Sequence, residues 1–251
     1  MEIKKMFYYF KIEVLRFLRE PISLFFTLIF PIILIYIFGD SFGETNNSST
    51  QHTYYNSLVA IDTAFLIANF TLMGIGNDLA SQKETGVYEN LKLLPLSGWT
   101  RVIIESIAYL FLLFLSVILI ILFVYFKYPN IHFRGNVFLF ISFILLSYFT
   151  FVSIVRAIVS LNYSARTLQL VASSVFFVLL FVSGIVIPKE SLPDLIKGFV
   201  DVSPTYIIYK VLDSIWNNNL KGSYFIICSI YFTLLIIVFN LFVIFKRNLT
   251  R

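Results

Sequence analysis

Residues 137–155 read VFLFISFILLSYFTFVSIV, nineteen positions without a charge. As a helix such a run crosses a hydrocarbon core of roughly 30 Å. It lacks the alternation of a barrel strand, and a backbone in lipid must satisfy its polar groups within the segment, which a helix does. Working outward in both directions, further uncharged runs of spanning length extend over Ile22 to Phe38, Ile107 to Val124, Leu168 to Ile187 and Tyr224 to Phe245, and Leu58 to Ile75 is interrupted by Asp62 alone. A chain that is 59% hydrophobic and 13% charged, with a mean hydropathy of +0.86, is too apolar for a soluble domain of 251 residues. The expected fold is an all-α integral membrane protein of one domain over residues 1–251, with spans at 22–38, 57–77, 102–126, 136–159, 168–187 and 223–245.

Thirteen of the nineteen Lys and Arg residues fall in segments on the side of the six spans that holds both chain ends, and six fall on the other. The positive-inside rule therefore predicts a multi-pass protein with both termini cytoplasmic. The net charge of +5 is spent on flanking spans, so no nucleic-acid partner is expected. Residues 3–19 read as an amphipathic interfacial helix. Ile3, Met6, Phe7, Phe10, Val14, Phe17 and Leu18 recur at helical spacing, and Lys4, Lys5, Lys11, Glu13 and Arg16 fill much of the remaining surface. The single cysteine, Cys228, lies inside the sixth span and reads as a small buried apolar residue. His52 and His132 fall in separate outer loops, and neither a metal nor a catalytic motif accompanies them.

One polar stretch, SQKETGVYENLKLLPLSGWTR at residues 81–101, stands apart from this apolar text. Ser81 and Glu84 have the spacing of a capping box, and Pro95 disfavours helical geometry at Leu94, so a short cytoplasmic helix is expected over 82–94. Val87, Leu91 and Leu94 share one of its faces, which needs a surface to lie against: the protein's own bundle or a separate cytosolic protein. On the other side of the membrane, residues 189–216 hold two further apolar stripes, one of Leu192, Leu195, Ile196 and Phe199 and one of Ile207, Ile208, Val211, Leu212 and Ile215. Both are too short to span, and Ser203 followed by Pro204 reads as a helix start, so a re-entrant helical hairpin is expected there. Asp62 is the one acid well inside a predicted span; it is expected to face a cavity, a partner or the interface between two copies, with placement at the outer membrane interface as the rival. Glu105 and Arg156, near cytoplasmic span ends, are expected to snorkel.

The order of these parts resembles a known family. KETGVYENLKLLPLS carries the E-x-G-x-x-E-x-L pattern before a proline found in the loop between the second and third spans of ABC-2 type transporter permeases. Residues 183–216 resemble the segment between their fifth and sixth spans, with S-G, P-x-x-x-L-P and S-P-T-Y in order, and residues 19–39 resemble the first span with its interfacial helix. The resemblance implies an ABC-2 (type V) exporter fold in a bacterial plasma membrane, a second permease copy, identical or not, and two copies of a cytosolic ABC ATPase. It also implies that residues 82–94 form a coupling helix on that ATPase, with Glu84, Gly86, Val87, Glu89, Leu91, Leu94 and Pro95 in the contact. The outer segment would cap the exit, with Gly184, Pro188, Leu192, Pro193, Pro204 and Tyr206 as its gate, and Asp62 is the candidate for the pathway. The chain contains no G-x-x-x-x-G-K-[ST] loop, so it is expected not to be an enzyme; ATP and Mg would be bound by the partner, with no cofactor in this chain.

Phe and Tyr supply 44 residues, enough to line much of a central surface with rings. They favour an apolar or amphipathic cargo, such as an amphipathic peptide, a peptide antibiotic or toxin, or a drug. A polysaccharide or lipid-linked glycan is the alternative cargo, and a non-transporting membrane subunit for immunity or signalling is the alternative of another class.

Overall fold

The computed structural model describes residues 2–19, 24–43, 48–84, 98–128, 131–161, 163–183 and 193–249. Every regular element among them is helical, as the long apolar runs require. Helix α1 covers Glu2–Leu18. A π-helical turn at Phe25–Ile29 leads into α2, Phe30–Gly43. Helix α3, Ser48–Asn69, passes through a second π turn, Phe70–Ile75, into α4, Gly76–Glu84. Then follow α5 (Gly98–Lys127), α6 (Val137–Val159) and α7 (Ala165–Val182). The last three are α8 (Asp194–Val202), α9 (Pro204–Trp216) and α10 (Gly222–Leu249). Among the described residues four helices are long and apolar enough to cross a membrane: Tyr55–Glu84, Val102–Lys127, Val137–Val159 and Gly222–Lys246. Thr27–Ile37 and Ala165–Phe181 are apolar but shorter; the runs expected to complete them extend into residues 20–23 and 184–192, outside the described residues.

The rod made by α3, the second π turn and α4 occupies the middle of the bundle, with α2, α5, α6, α7 and α9 packed around it. Leu66, Ile67, Phe70 and Leu72 on this rod are fully enclosed. Helix α10 packs on α6 and leaves most of its length exposed. Lipid offers no hydrophobic drive between helices, so close packing and polar contacts hold such a bundle. Phe143 and Phe232 meet edge-on at 5.4 Å across the α6–α10 seam, and Asn240 Nδ2 donates to Ser153 Oγ at 3.0 Å in the same seam. Ser147, Thr150 and Ser153 donate to the carbonyls of Phe143, Leu146 and Phe149, so none of these hydroxyls is left wanting in an apolar setting.

Caps and a close approach fix the end of the bundle away from α1. Asn136 Oδ1 accepts from the backbone of Phe138 and Leu139 at the start of α6. The segment before it docks on the end of α9: Arg134 N–H donates to the Trp216 carbonyl at 3.0 Å, and a Cβ on Gly135 would overlap the Ile215 carbonyl oxygen. Trp216 lies edge-on to Phe133 at 4.9 Å and to Phe140 at 5.8 Å.

Several local expectations change. Ser81 is not a cap, because residues 76–84 are one unbroken helix continuing from the membrane rod. Positions i and i+3 are neighbours on any helix, so S-x-x-E marks a start only where the backbone before it is non-helical. Helix α1 buries a face that overlaps its apolar stripe only at Phe17. Tyr9, Glu13 and Phe17 are buried, whereas Phe7 and Leu18 are exposed. The reason is polar: Arg16, paired with Glu13 on its own helix, has partners on α4 and α5, and an apolar face left outward suits lipid. In α8, which starts at Asp194 rather than Leu192, Val200 is buried and Phe199 is 67% exposed, so the expected stripe is displaced by one residue at this end. On α9 the expected stripe faces in: Ile208, Val211, Leu212 and Ile215 are buried. Pro204 is the first residue of α9, but the Ser203 hydroxyl pairs with Thr205 Oγ1 at 2.9 Å instead of capping the backbone.

Candidate functional site

A polar cluster lies where α1, α4 and α5 meet, around Arg16. Its Nη2 is 2.6 Å from Asp78 Oδ2, 2.7 Å from Glu13 Oε2 and 3.9 Å from Glu105 Oε1, and it donates to Tyr109 Oη at 3.1 Å. Tyr109 Oη donates in turn to Asp78 and reaches Glu105 at 3.4 Å. Gln82 Nε2 bridges Asp78 and Glu105 at 3.1 and 3.2 Å. Helical spacing builds this array. Glu13 and Arg16 are three apart on α1, Asp78 and Gln82 four apart on α4, and Glu105 and Tyr109 four apart on α5, so each helix presents one polar pair to the others.

Three carboxylates thus surround one guanidinium in a half-enclosed setting. Burial pushes the Glu13 carboxyl up, although Arg16 opposes the shift. Burial also works against the charge on Arg16, but Tyr109, Asp78, Glu13 and Glu105 outweigh it and keep the guanidinium firmly protonated. Tyr9 is raised by burial and by the neighbouring Glu13, so it stays a neutral hydroxyl. Glu105 therefore does not snorkel: it turns inward to this array, and Arg156 reaches Ser106 Oγ at 3.4 Å.

The next residue along, Lys83, points to another helix. Its Nζ donates to the carbonyls of Leu161 at 2.6 Å and Val159 at 3.0 Å, where α6 ends and its last carbonyls have no helical partners. A lysine there also meets the negative end of the helix dipole. Asp78, Gln82 and Lys83 consequently tie α4 to α1, α5 and α6 where the polar stretch begins. Glu105 and Tyr109 anchor the helix that leaves it.

Among the residues expected in the coupling contact, Glu84 is exposed at the very end of α4. Gly86, Val87, Glu89, Leu91, Leu94 and Pro95 lie outside the described residues, as do Gly184, Pro188 and Leu192 of the expected gate. Pro193 precedes α8, and Pro204 and Tyr206 lie on α9, Tyr206 buried beside Tyr209 at 6.0 Å. Asp62 lies within α3, the helix along which α9 packs, and is 4% exposed; its Oδ2 has no hydrogen-bond partner among the described residues. In this arrangement it points neither at lipid nor at an outer surface. On α9, burial raises the Asp213 carboxyl against hydrogen bonds from Ser57 and Asn217.

The Arg16 array was not visible as a site in the sequence. A signal existed: Asp78 with Gln82 and Glu105 with Tyr109 repeat a polar i, i+4 pair at the facing ends of two consecutive apolar helices. Among the described residues no group of three or more His, Cys, Asp and Glu is arranged to hold a metal.

No curated protein matches the chain. A family model, ABC-2 type transporter, matches residues 5–217. That match takes in α1, the central rod, the polar joint, α8 and α9 together, and the chain, a multi-pass membrane protein, belongs to the ABC-2 type transporter family, the permease component of ABC transporters.

Proposed function

We propose that the chain is the permease subunit of an ATP-driven exporter whose separate cytosolic ATPase docks on residues 81–95. One observation carries this reading. The helix leading into that stretch and the helix leading out of it are bolted to each other and to α1 through Arg16, Asp78, Gln82, Glu105 and Tyr109. A force applied to the stretch therefore moves α1, the central rod, α5 and, through Lys83, α6 as one joint. Glu84, Gly86, Val87, Glu89, Leu91, Leu94 and Pro95 form the contact with the ATPase. The assembly contains six spans per chain, both termini on the ATPase side, two permease copies and two ATPases, and ATP with Mg is held by the ATPase. The α8–α9 hairpin closes the far side, and its withdrawal from α3 is the movement that would open Asp62 to the route. The cargo is an apolar or amphipathic molecule.

The test is affinity purification in mild detergent. The wild-type chain should bring down an ATPase and show no turnover without it. Leu91→Glu should lose the ATPase while the permease stays folded. Retained association in that variant would remove the docking role from this stretch. Ser191→Cys should react with an impermeant thiol reagent from outside the cell; labelling from the cytoplasm alone would invert the proposed topology.

A further inference from the structure

The end of the bundle opposite Arg16 holds a small aromatic enclosure around a cation. Glu105 and Lys127 are both on α5, so the two ends are about 33 Å apart along a straight helix. Lys127 Nζ sits 3.4 Å from the centroid of the Tyr36 ring and 5.3 Å from that of Tyr128. Tyr128 is buried and held in place: it stacks on Tyr55 at 4.5 Å with planes 22° apart, and its hydroxyl donates to the Ile35 carbonyl at 3.4 Å. Tyr36 on α2 is 55% exposed, so one side of the enclosure is open. Ile29 and Ile33, seven and three residues before Tyr36, are exposed on the same side of the helix and continue the surface towards the bilayer interior as an apolar track.

We propose that this enclosure is a binding site for the ammonium head of a cationic amphiphile, with Lys127 holding the place of the head and Ile29 and Ile33 lying along the tail. Ring faces attract any cation through their quadrupole, and quaternary ammonium groups are the ligands such cages take best. Such a head has no N–H groups to keep in water, unlike a lysine, so it gives up its hydration more readily when it enters. Lys127 is on a long flexible stem and can withdraw to solvent. This inference rests on the permease reading and narrows the cargo to amphiphiles with a positive head, met at the side of the membrane where they would leave.

The test is equilibrium binding of radiolabelled dodecyltrimethylammonium to the full-length chain in nanodiscs of phosphatidylglycerol, beside its uncharged isostere ending in a tert-butyl group. Tyr36→Leu should weaken binding of the cation roughly three- to tenfold and leave the isostere unchanged. Tyr36→Phe, which keeps the ring, should bind as wild type, and Lys127→Met, which vacates the enclosure, should bind the cation more tightly. Equal binding by wild type and Tyr36→Leu overturns the site, and so does a parallel loss of cation and isostere, which would mark a merely apolar surface. The experiment is repeated in phosphatidylcholine nanodiscs. Persistence of the Tyr36-dependent difference there supports an exported amphiphile. Its disappearance assigns the enclosure to a lipid headgroup and overturns the cargo. Copurification of the ATPase is scored separately, so a failed cage with an intact complex leaves the permease reading standing, and a lost complex with intact binding does the reverse.

Discussion

Replacing Arg16 with methionine keeps an apolar stem and deletes the guanidinium that Glu13, Asp78 and Glu105 share. Removing one partner of a buried ion pair costs about 3–5 kcal/mol, because the remaining charges lose their counter-ion without regaining water. The Arg16 side chain is 29% exposed, against 3%, 10% and 15% for its acids, so solvent relieves the arginine more than the carboxylates. The lower bound, about 3 kcal/mol, is the expected cost to docking of α1, which corresponds to a population of undocked helix about a hundredfold larger. Hydrogen–deuterium exchange on the purified chain reads this directly. Peptides over residues 9–18 should exchange about a hundredfold faster, with peptides from α6 and α10 unchanged. Adding Glu13→Gln, Asp78→Asn and Glu105→Gln removes the stranded charges and should return most of the protection. Unchanged exchange in Arg16→Met, or no recovery in the quadruple variant, would refute the argument that charge pairing holds this joint.

Other expectations follow from the same contacts. Docking of α1 should depend on pH: burial raises the Glu13 carboxyl, so the docked state keeps that proton to higher pH than the undocked helix does. The contribution of Glu13 to docking is then largest below the ordinary glutamate range and falls as pH rises through the elevated value. Tyr9 and Arg16 on α1, Asp78 on α4 and Glu105 on α5 are the groups facing Glu13; exchange measured from pH 5 to 8 should show the slope, and Glu13→Gln should flatten it. Gly135→Ala forces a Cβ into the Ile215 carbonyl and should cost about 1–3 kcal/mol, seen as a lower thermal midpoint in detergent. Lys83→Ala should cost about 0.3–1 kcal/mol in thermal stability and, if α6 is driven through this contact, reduce transport while the ATPase still copurifies. Asn240→Leu removes one interhelical hydrogen bond to Ser153 and should lower stability by about 0.6 kcal/mol, the size usual in a bilayer.

The class of the fold was readable because lipid imposes a single rule. An uncharged run such as 137–155 can only close its backbone hydrogen bonds as a helix, and α6 occupies Val137–Val159. Helix ends were less legible. Ser48 to Asn56 is polar yet helical, because nothing in it breaks a helix that the apolar run beyond it already propagates. The buried face of α1 was not legible for a related reason. Periodicity separates polar from apolar faces, but at a membrane boundary the protein interior can be the polar side and lipid the apolar one. The Arg16 array joins residues 62 and 93 positions apart, and no local pattern registers such a distance. Asp62 was identifiable as unusual by its place in an apolar run. Its burial within one chain could be learned only from how α3 is enclosed.

The second π turn sets where Asp78 and Gln82 point. A π turn is an α-helix carrying one residue more than its turn should hold, and each residue of an α-helix advances the azimuth by about 100°. Phe70–Ile75 therefore acts as a phase shifter between α3 and α4. The apolar side chains above it keep one bearing, while those below are turned until Asp78 and Gln82 look towards Arg16 and Lys83 looks towards the end of α6. Losing a single residue from this turn would restore ordinary winding and swing all three contacts off their targets together, with every side chain of α4 still present. The turn at Phe25–Ile29 touches it, so the two wide turns sit side by side, and the bearing of α4 is fixed by a count of residues in the membrane rather than by anything α4 itself contains.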